Sequence, residues 1–218
     1  MTTQKNFRSG RSQMRVFFIY SLVLFLCLIP VVVGYGQQGS SPTVDDANQE
    51  LKEIREPDVV FVPTPQKVVE KMLELAEVKK DDLLYDLGCG DGRIVVTAAK
   101  NYNCQCVGYD INPERVIESM ENVEKNKVQK LVRIEQKDIF TLDLSKANVI
   151  TLYLLPRLNV KLIPQLEKLK PGTRIVSHDF DMEGIVTPDK SVKVTTDDNA
   201  THDVYLWIAP LKKNDVKN

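Results

Sequence analysis

The chain has 218 residues, enough for one domain of ordinary size plus an appendage, and 43% hydrophobic and 27% charged residues are typical of a folded protein. Its net charge of −1 divides into +4 for residues 1–44, with four basic residues and no acid, and −5 for the remainder, with 25 basic and 30 acidic residues. Because the body is mildly acidic and has no basic run, a nucleic-acid substrate receives no electrostatic support.

Cysteine and histidine positions predict no metal site. The four cysteines stand at positions 27, 89, 104 and 106 and form no Cys-x-x-Cys pair. The two histidines, His178 and His202, lie far from them in the sequence. A zinc site that combines these residue types is therefore not expected.

The N-terminal 36 residues combine a basic leader with a hydrophobic segment. Residues 16–33 are eighteen uncharged, mostly apolar residues, which predict a hydrophobic helix. This length suits a short membrane anchor or a long signal-peptide core, and Gly34-Tyr35-Gly36 would suit cleavage. The acid-free leader also has the character of an organelle transit segment. Two localisations remain open: association with a membrane through one N-terminal span, on either side, or export after cleavage near Gly36.

A polar linker separates this segment from the domain. Residues 37–56 are rich in Gln, Ser and acids and show no apolar period, so they predict a tether. The domain is expected over residues 57–212, with a short tail over 213–218. At its start, Thr64 is predicted to cap a helix whose first residue is Pro65.

The motif around which the domain is organised follows the apolar run Leu83–Leu87. Glycines at 88, 90 and 92, followed by Ile94-Val95-Val96, predict a buried strand, a tight turn and a helix, with Cys89 inside the turn. Such a turn lets the backbone approach a nucleotide closely. Asp86 places a negative charge at the strand end, where it would repel a pyrophosphate and attract a cation. This favours S-adenosylmethionine, which carries an ammonium and a sulfonium, over a dinucleotide.

A second acid ends the next predicted strand, Cys106–Asp110. A carboxylate about 20 residues beyond the first glycine, at the end of the second strand, grips a ribose diol in doubly wound folds. Asp110 is therefore predicted to bind the ribose. The same acid could instead serve the N-terminus of the following helix, and the two roles are compatible.

The remaining pattern defines the fold class. Helices are predicted over 113–126, with Val116, Ile117, Met120 and Val123 as the buried stripe, and before residue 171, where Pro164 should kink or restart the helix. Further strands are predicted over 131–135, 148–155 and 173–177, and a hairpin over 191–195 and 204–208. Five strands that alternate with helices and then a hairpin predict an α/β, doubly wound, seven-stranded and mostly parallel sheet with one antiparallel strand.

The run Asp86-Leu87-Gly88-Cys89-Gly90-Asp91-Gly92 resembles the first motif of the class I S-adenosylmethionine-dependent methyltransferases, which have a Rossmann-like fold. The resemblance implies that Asp138 lies beside the adenine amino group and that Ile139 covers the ring. Class I enzymes that methylate planar nitrogens often carry Asn/Asp-Pro-Pro-Tyr after the fourth strand, whereas this chain has Tyr153-Leu154-Leu155-Pro156. That departure argues against an adenine or glutamine methylase. A lysine amine needs only alignment and loss of a proton.

Three residues are predicted to serve the acceptor. Tyr153 lies near the end of the predicted fourth strand, and His178 and Asp179 follow the fifth, at the edge where doubly wound sheets bind ligands. The polar pair could orient an amine or relay its proton, or could be an ordinary loop pair bonded to water.

Residues 57–210 are similar to a narrower family. The runs Phe61-Val62-Pro63-Thr64-Pro65 and Gly108-Tyr109-Asp110-Ile111-Asn112-Pro113 resemble those of the small membrane-anchored protein-lysine methyltransferases of mitochondria and their bacterial relatives. Known targets of that family include an ATP synthase subunit and the adenine nucleotide translocase. The resemblance implies a membrane-tethered protein-lysine N-methyltransferase, whose protein substrate can itself be embedded in the membrane. Two alternatives are a methyltransferase for a small lipid-soluble molecule and an exported, non-catalytic domain of the same fold.

Overall fold

The computed structural model describes residues 56–214. The predicted hydrophobic helix over residues 16–33 lies outside this range, as do the tail from 215 and nearly all of the linker. Within residues 56–214, no helix has the length and apolarity that crossing a membrane requires.

Seven strands form one sheet, in the spatial order β3-β2-β1-β4-β5-β7-β6. Their bounds are β1 Leu83–Leu87, β2 Gln105–Asp110, β3 Val132–Gln136, β4 Val149–Leu152, β5 Arg174–His178, β6 Lys190–Thr195 and β7 Thr201–Ile208. Only β7 runs against its neighbours, pairing antiparallel with both β5 and β6. The predicted seven-stranded, mostly parallel sheet is confirmed.

Helices cover both faces of the sheet. They are α1 Gln66–Leu75, α2 Arg93–Tyr102, α3 Pro113–Lys125 and α4 Pro156–Leu166, with a short 3-10 helix over Ile139–Thr141. Successive strand side chains point to opposite faces. Leu84 accordingly packs into the core beneath α1 and α2, whereas Tyr85 packs into the core beneath α4. Two apolar layers on one sheet fix the register of every strand and so fix where each strand ends.

Three local predictions about elements are wrong. Thr64 does not cap α1, whose N-cap is Pro65 without a side-chain hydrogen bond, because the Thr64 hydroxyl pairs with His178 instead. The stripe predicted for α3 is exposed at Ile117 and Met120, at 58% and 55%, while Ser119 is fully buried. That helix approaches the glycine loop so closely that only a small side chain fits at its inner face.

The third difference is the length of β4, which ends at Leu152 rather than at 155. Its last paired residue, Leu152, lies opposite Leu87, where β1 ends, and opposite Ser177 of β5. Residues 153–155 leave the sheet and lead directly into α4. Pro164 lies two residues before the end of α4, which continues past it as one element. This arrangement brings Tyr153 to the carboxyl edge of the sheet.

Candidate donor-binding cleft

A cleft of about 250 Å³ opens at the carboxyl edge of the parallel strands. Its floor comes from the ends of β1 and β2 and from the residues that follow β4. Its outer wall is the segment from Pro57 to Thr64, which precedes α1. Doubly wound sheets bind ligands at this edge, so the fold and the cavity agree on the place of the site.

The turn after β1 is held by backbone and side-chain hydrogen bonds from its surroundings. The N–H groups of Gly88 and Cys89 both donate to the carbonyl of Tyr109, at 2.8 and 2.9 Å. Ser119 donates to the carbonyl of Gly90 at 2.6 Å. These hydrogen bonds hold the loop in its conformation, and α3 contributes one of them through Ser119, which the apolar pattern did not single out.

Gly90 shows why a side chain is excluded from the loop. Its φ is +54°, and a Cβ placed on it would lie 2.1 Å from Cε2 of Phe61 in the outer wall. The wall and the loop thus touch across the cleft at a point where only glycine fits. The motif pattern predicted the glycine, but the partner that requires it lies 29 residues earlier in the chain.

Asp86 is the most unusual group in the cleft. Its Oδ1 accepts from the Thr151 hydroxyl at 2.7 Å, whereas its Oδ2 is buried and has no hydrogen-bond partner among the described residues. Burial raises the pKa of this carboxyl from 3.8 to about 7, partly offset by the Thr151 bond. A buried acceptor without a donor indicates that a ligand supplies the missing contact, and a cation would also supply the missing charge.

Asp110 is fixed in a different way. Its Oδ2 accepts from the N–H of Gly90 at 2.8 Å and its Oδ1 from the N–H of Asn112 at 2.9 Å. Burial is the largest influence and raises the pKa of Asp110, while these backbone donors oppose the rise. Asp86 and Asp110 line one cavity, as the prediction of a cation site and a diol site requires.

The predicted adenine residues lie on the 3-10 helix. Asp138 is its N-cap and accepts from the N–H of Phe140 at 2.9 Å. Ile139 lines the cleft and is 8% exposed. Of this pair, Ile139 forms part of the cleft wall, and Asp138 orients the turn that presents it.

The predicted acceptor residues divide between the cleft and the layer behind it. Tyr153 lines the cleft, and its ring lies 3.9 Å from that of His178, centroid to centroid. His178 is fully buried, and burial lowers its pKa to about 4. Its Nδ1 lies 3.1 Å from the Thr64 hydroxyl, and Asp179 lies beyond its Nε2. His178 and Asp179 therefore lie behind the cleft wall, and Gly92, with a φ of +75°, faces Ser119 of α3 rather than the cavity.

Sequence reasoning missed several residues that build the site. Thr151 orients Asp86, and Arg93 donates to the Thr64 carbonyl at 2.9 Å and so ties the outer wall to the loop. Thr151 occupies the β4 position that pairs with Asp86, which is a signal that strand register could have supplied. Nothing in the sequence links Thr64 to His178, which is 114 residues away.

The fold and the cleft define the class I S-adenosylmethionine-dependent methyltransferases, and S-adenosylmethionine is the cofactor of this chain. The residues present fit that donor. Asp86 offers an unpaired buried oxygen for an ammonium, and Asp110 offers a carboxylate for the ribose. The glycine loop leaves room for backbone approach, and Ile139 supplies an apolar surface for adenine.

Comparison with known proteins defines the family. Residues 86–190 match the ANTKMT methyltransferase domain. A protein-lysine N-methyltransferase of Saccharolobus islandicus (strain REY15A) is 51% identical over 154 residues, covering 70% of this chain and 94% of that protein. A human lysine N-methyltransferase that is named for an ATP synthase subunit is 28% identical over 55% of this chain and 51% of its own. The chain belongs to the ANTKMT-type family of methyltransferases.

A solved structure supports the cofactor assignment. The crystal structure of a protein described as an RNA methyltransferase from Salinibacter ruber, in complex with S-adenosyl-L-homocysteine, is 46% identical to this chain. It covers 71% of this chain and 97% of its own, with a TM-score of 0.65. Its ligand is the product that a methyltransferase forms from S-adenosylmethionine.

We expect Gly90→Ala to weaken S-adenosylmethionine binding by at least about tenfold, since the new Cβ displaces Phe61 and narrows the cleft. Gly172→Ala is the matched control: its φ is +86°, but nothing lies within 4 Å of the added carbon. Both variants carry a backbone cost of about 1–2 kcal/mol. Isothermal titration calorimetry measures the donor affinity of each variant, and urea unfolding measures its stability. The two measurements together distinguish the backbone cost that both variants share from the clash with Phe61. Equal donor affinity in the two variants would contradict the role of the contact between Phe61 and Gly90.

Donor affinity should also depend on pH. A bound ammonium favours the ionised form of Asp86, so binding below a pKa of about 7 releases a proton. We expect affinity to rise by up to about tenfold per pH unit below pH 7 and to level off above it. Calorimetry in buffers of different ionisation enthalpy would measure both the affinity and the released proton.

Asp86→Asn provides the control for this titration, because it keeps a partner for Thr151 and removes the charge. Its donor binding should be weaker and independent of pH in the same range. In the absence of donor, the free energy of unfolding should change with pH in the opposite direction to the donor affinity. A carboxyl whose pKa rises on folding lowers the free energy of unfolding as pH increases from 3.8 to about 7. The Asp86→Asn variant should lack this decline in stability. A wild-type affinity that is flat with pH would contradict the assignment of Asp86 to the cation.

Proposed function

We propose that this methyltransferase acts on the side-chain amine of a protein lysine. The 51% identical relative is named a protein-lysine N-methyltransferase, and the human relative is named for a lysine of an ATP synthase subunit. Both names concern those proteins. For this chain, the proposal depends on the chemistry of the cleft.

The charge of the cleft is the observation that carries the proposal. Four carboxylates line it, namely Asp58, Asp86, Asp91 and Asp110, together with two guanidinium groups, Arg93 and Arg115. Arg93 is paired with Asp91 at 2.5 Å, and Arg115 lies over the Phe61 ring and pairs with Glu118. The field at the cleft is therefore suited to a cationic acceptor and opposes a phosphate backbone.

The acceptor side of the cleft is aromatic. The rings of Tyr153 and Phe180 are stacked, with centroids 6.0 Å apart and planes 14° from parallel, and both line the cavity. Aromatic faces attract alkylammonium groups, and the attraction increases when water is excluded. No carboxamide stands where a planar base nitrogen would need an acceptor, since the run is Tyr153-Leu154-Leu155-Pro156.

The chain's contribution to the reaction is to bind and align. S-adenosylmethionine supplies an electrophilic methyl group on a sulfonium sulfur. The lysine amine, once it has lost a proton, forms the new C–N bond as the C–S bond breaks and its electron pair goes to sulfur. Tyr153 is predicted to orient the amine, with His178 and Asp179 holding that ring in place, and alignment in a dry cleft is enough to accelerate such a transfer.

Radiolabelled methyl transfer to cell fractions tests this proposal. Full-length chain is incubated with methyl-labelled donor and a membrane or soluble fraction, and the products are divided into protein, RNA and lipid extracts. We expect label in protein, insensitive to ribonuclease, with methyllysine identified by mass spectrometry. Asp86→Asn should lower the signal by more than about tenfold, since it removes the proposed donor contact.

Label in the RNA extract would contradict the lysine proposal and would favour the acceptor class named for the Salinibacter ruber protein. Label in the lipid extract would favour a small lipid-soluble acceptor. Asp203→Asn is the matched control for Asp86→Asn, because its side chain pairs with exposed Lys193 away from the cleft. That variant should retain wild-type transfer.

We further propose that residues 16–33 tether the enzyme to a membrane, supported by their eighteen uncharged residues. A tether would raise the local concentration of membrane-bound lysine substrates. We expect a C-terminally tagged chain to stay in the membrane pellet after carbonate extraction, and a chain that begins at Gln37 to be soluble. Protease protection then gives the side of the membrane. A soluble product cleaved near Gly36 would contradict the tether and favour export.

A further inference from the structure

A cluster of two histidines and one carboxylate lies behind the acceptor side of the cleft. His178 Nε2, His202 Nδ1 and Asp179 Oδ2 form a triangle, with edges of 3.0 Å between the histidines, 2.9 Å from His202 to the carboxylate and 3.3 Å from His178 to the carboxylate. The geometry points to a binding site for one divalent transition-metal ion that caps this triangle from one side, out of the plane of the three atoms.

The distances fit such an ion. Bonds of about 2.0–2.2 Å from Zn²⁺ to imidazole nitrogen and carboxylate oxygen place neighbouring ligand atoms about 2.9–3.5 Å apart, depending on coordination geometry. All three edges of the triangle lie in that interval. Two imidazoles and one carboxylate are also ligands that zinc, iron, cobalt and nickel accept.

One of the two neutral tautomers of His178 leaves this triangle short of hydrogen-bond donors. A neutral imidazole carries one ring N–H, and an ionised carboxylate carries none. If His178 donates from Nδ1 to the Thr64 hydroxyl, its Nε2 presents a lone pair to both His202 Nδ1 and Asp179 Oδ2. One proton on His202 then leaves the lone pairs of His178 and Asp179 facing each other at 3.3 Å. A cation satisfies all three acceptors together.

The surroundings of the triangle hold the ligands in place. Asp179 Oδ1 accepts from the N–H of Asp203 at 2.9 Å, which fixes the carboxylate, and Thr64 fixes the ring of His178. Outer contacts of this kind orient metal ligands. Asp179 adopts a φ of +56°, an uncommon backbone conformation that turns its side chain to this position.

Access also suits an ion. His178 is completely buried, but the side chains of His202 and Asp179 are 18% and 27% exposed, so solvent reaches two of the three ligand residues. The sequence predicted no metal site because both histidines lie far from the cysteines, whereas this site contains no cysteine and depends on β7 to bring His202 beside β5.

An ion here would lock the carboxyl end of β5 to the start of β7, directly behind Tyr153. His178 packs against the Tyr153 ring at 3.9 Å, so the metal would fix the aromatic wall of the acceptor side without touching the donor. The inference does not depend on the identity of the acceptor, because the ion can be measured with neither donor nor substrate present.

Cobalt titration of the metal-stripped, full-length chain tests the site. The chain is purified through a chelator and titrated with Co²⁺, and visible absorption reports the coordination. We expect saturation at about one equivalent with bands typical of nitrogen and oxygen ligands, and displacement by Zn²⁺. His202→Gln and Asp179→Asn should each weaken binding by more than about 100-fold, whereas Asp203→Asn, on the adjacent residue of β7, should bind as the wild type does.

Thermal unfolding gives a second measurement that does not require the variants to be stable. Zn²⁺ should raise the wild-type Tm over that in chelator, as expected for a ligand that binds only the folded state. Absence of both binding and a Tm shift in the folded wild type would overturn the inference. Binding that survives His202→Gln unchanged would place the metal elsewhere and would overturn it equally.

Discussion

The site depends on one carboxylate kept away from water. Asp86 ends β1 in the middle of the sheet, where neighbouring strands and the apolar layers on both faces exclude solvent. Thr151 satisfies one of its oxygens, and the other oxygen has no hydrogen-bond partner among residues 56–214. Leaving a charge in this state is costly, which is why the pKa of Asp86 rises. The fold therefore holds a buried carboxylate at the carboxyl ends of its central strands, and a bound cation would stabilise the charge of that carboxylate.

The outer wall encloses the cleft because three contacts from different parts of the chain hold it. Phe61 packs on the glycine loop, Arg93 binds the carbonyl of Thr64, and His178 binds the Thr64 hydroxyl. All three contacts are made by side chains and are not part of the hydrogen-bond pattern of a helix or a sheet. A segment without secondary structure of its own is therefore held in place by the loop after β1 and the end of β5.

Sequence patterns predicted most of the sheet, because strands and helices of this fold repeat a simple alternation of apolar runs and turns. They also predicted the glycine loop and the acids at 86 and 110, whose roles follow from position at strand ends. Patterns failed where an element meets the site. The inner face of α3 carries Ser119 rather than the apolar residues that the pattern predicted there. The Thr64 hydroxyl pairs with His178 instead of capping α1. Such exchanges depend on contacts between distant residues, which periodicity does not encode.

The single reversed strand has a consequence for how this family can vary. Because β7 runs antiparallel to β5, its first residues, rather than its last, lie at the ligand edge of the sheet. His202, the second residue of β7, is one of them. Contacts predicted for the methyl donor come from residues 86–139, whereas the aromatic wall and its supports come from Tyr153 onward and from the segment before α1. Evolution can therefore exchange one group of contacts while the other stays intact. Proteins that share the same glycine loop can in this way diverge in the molecules they modify.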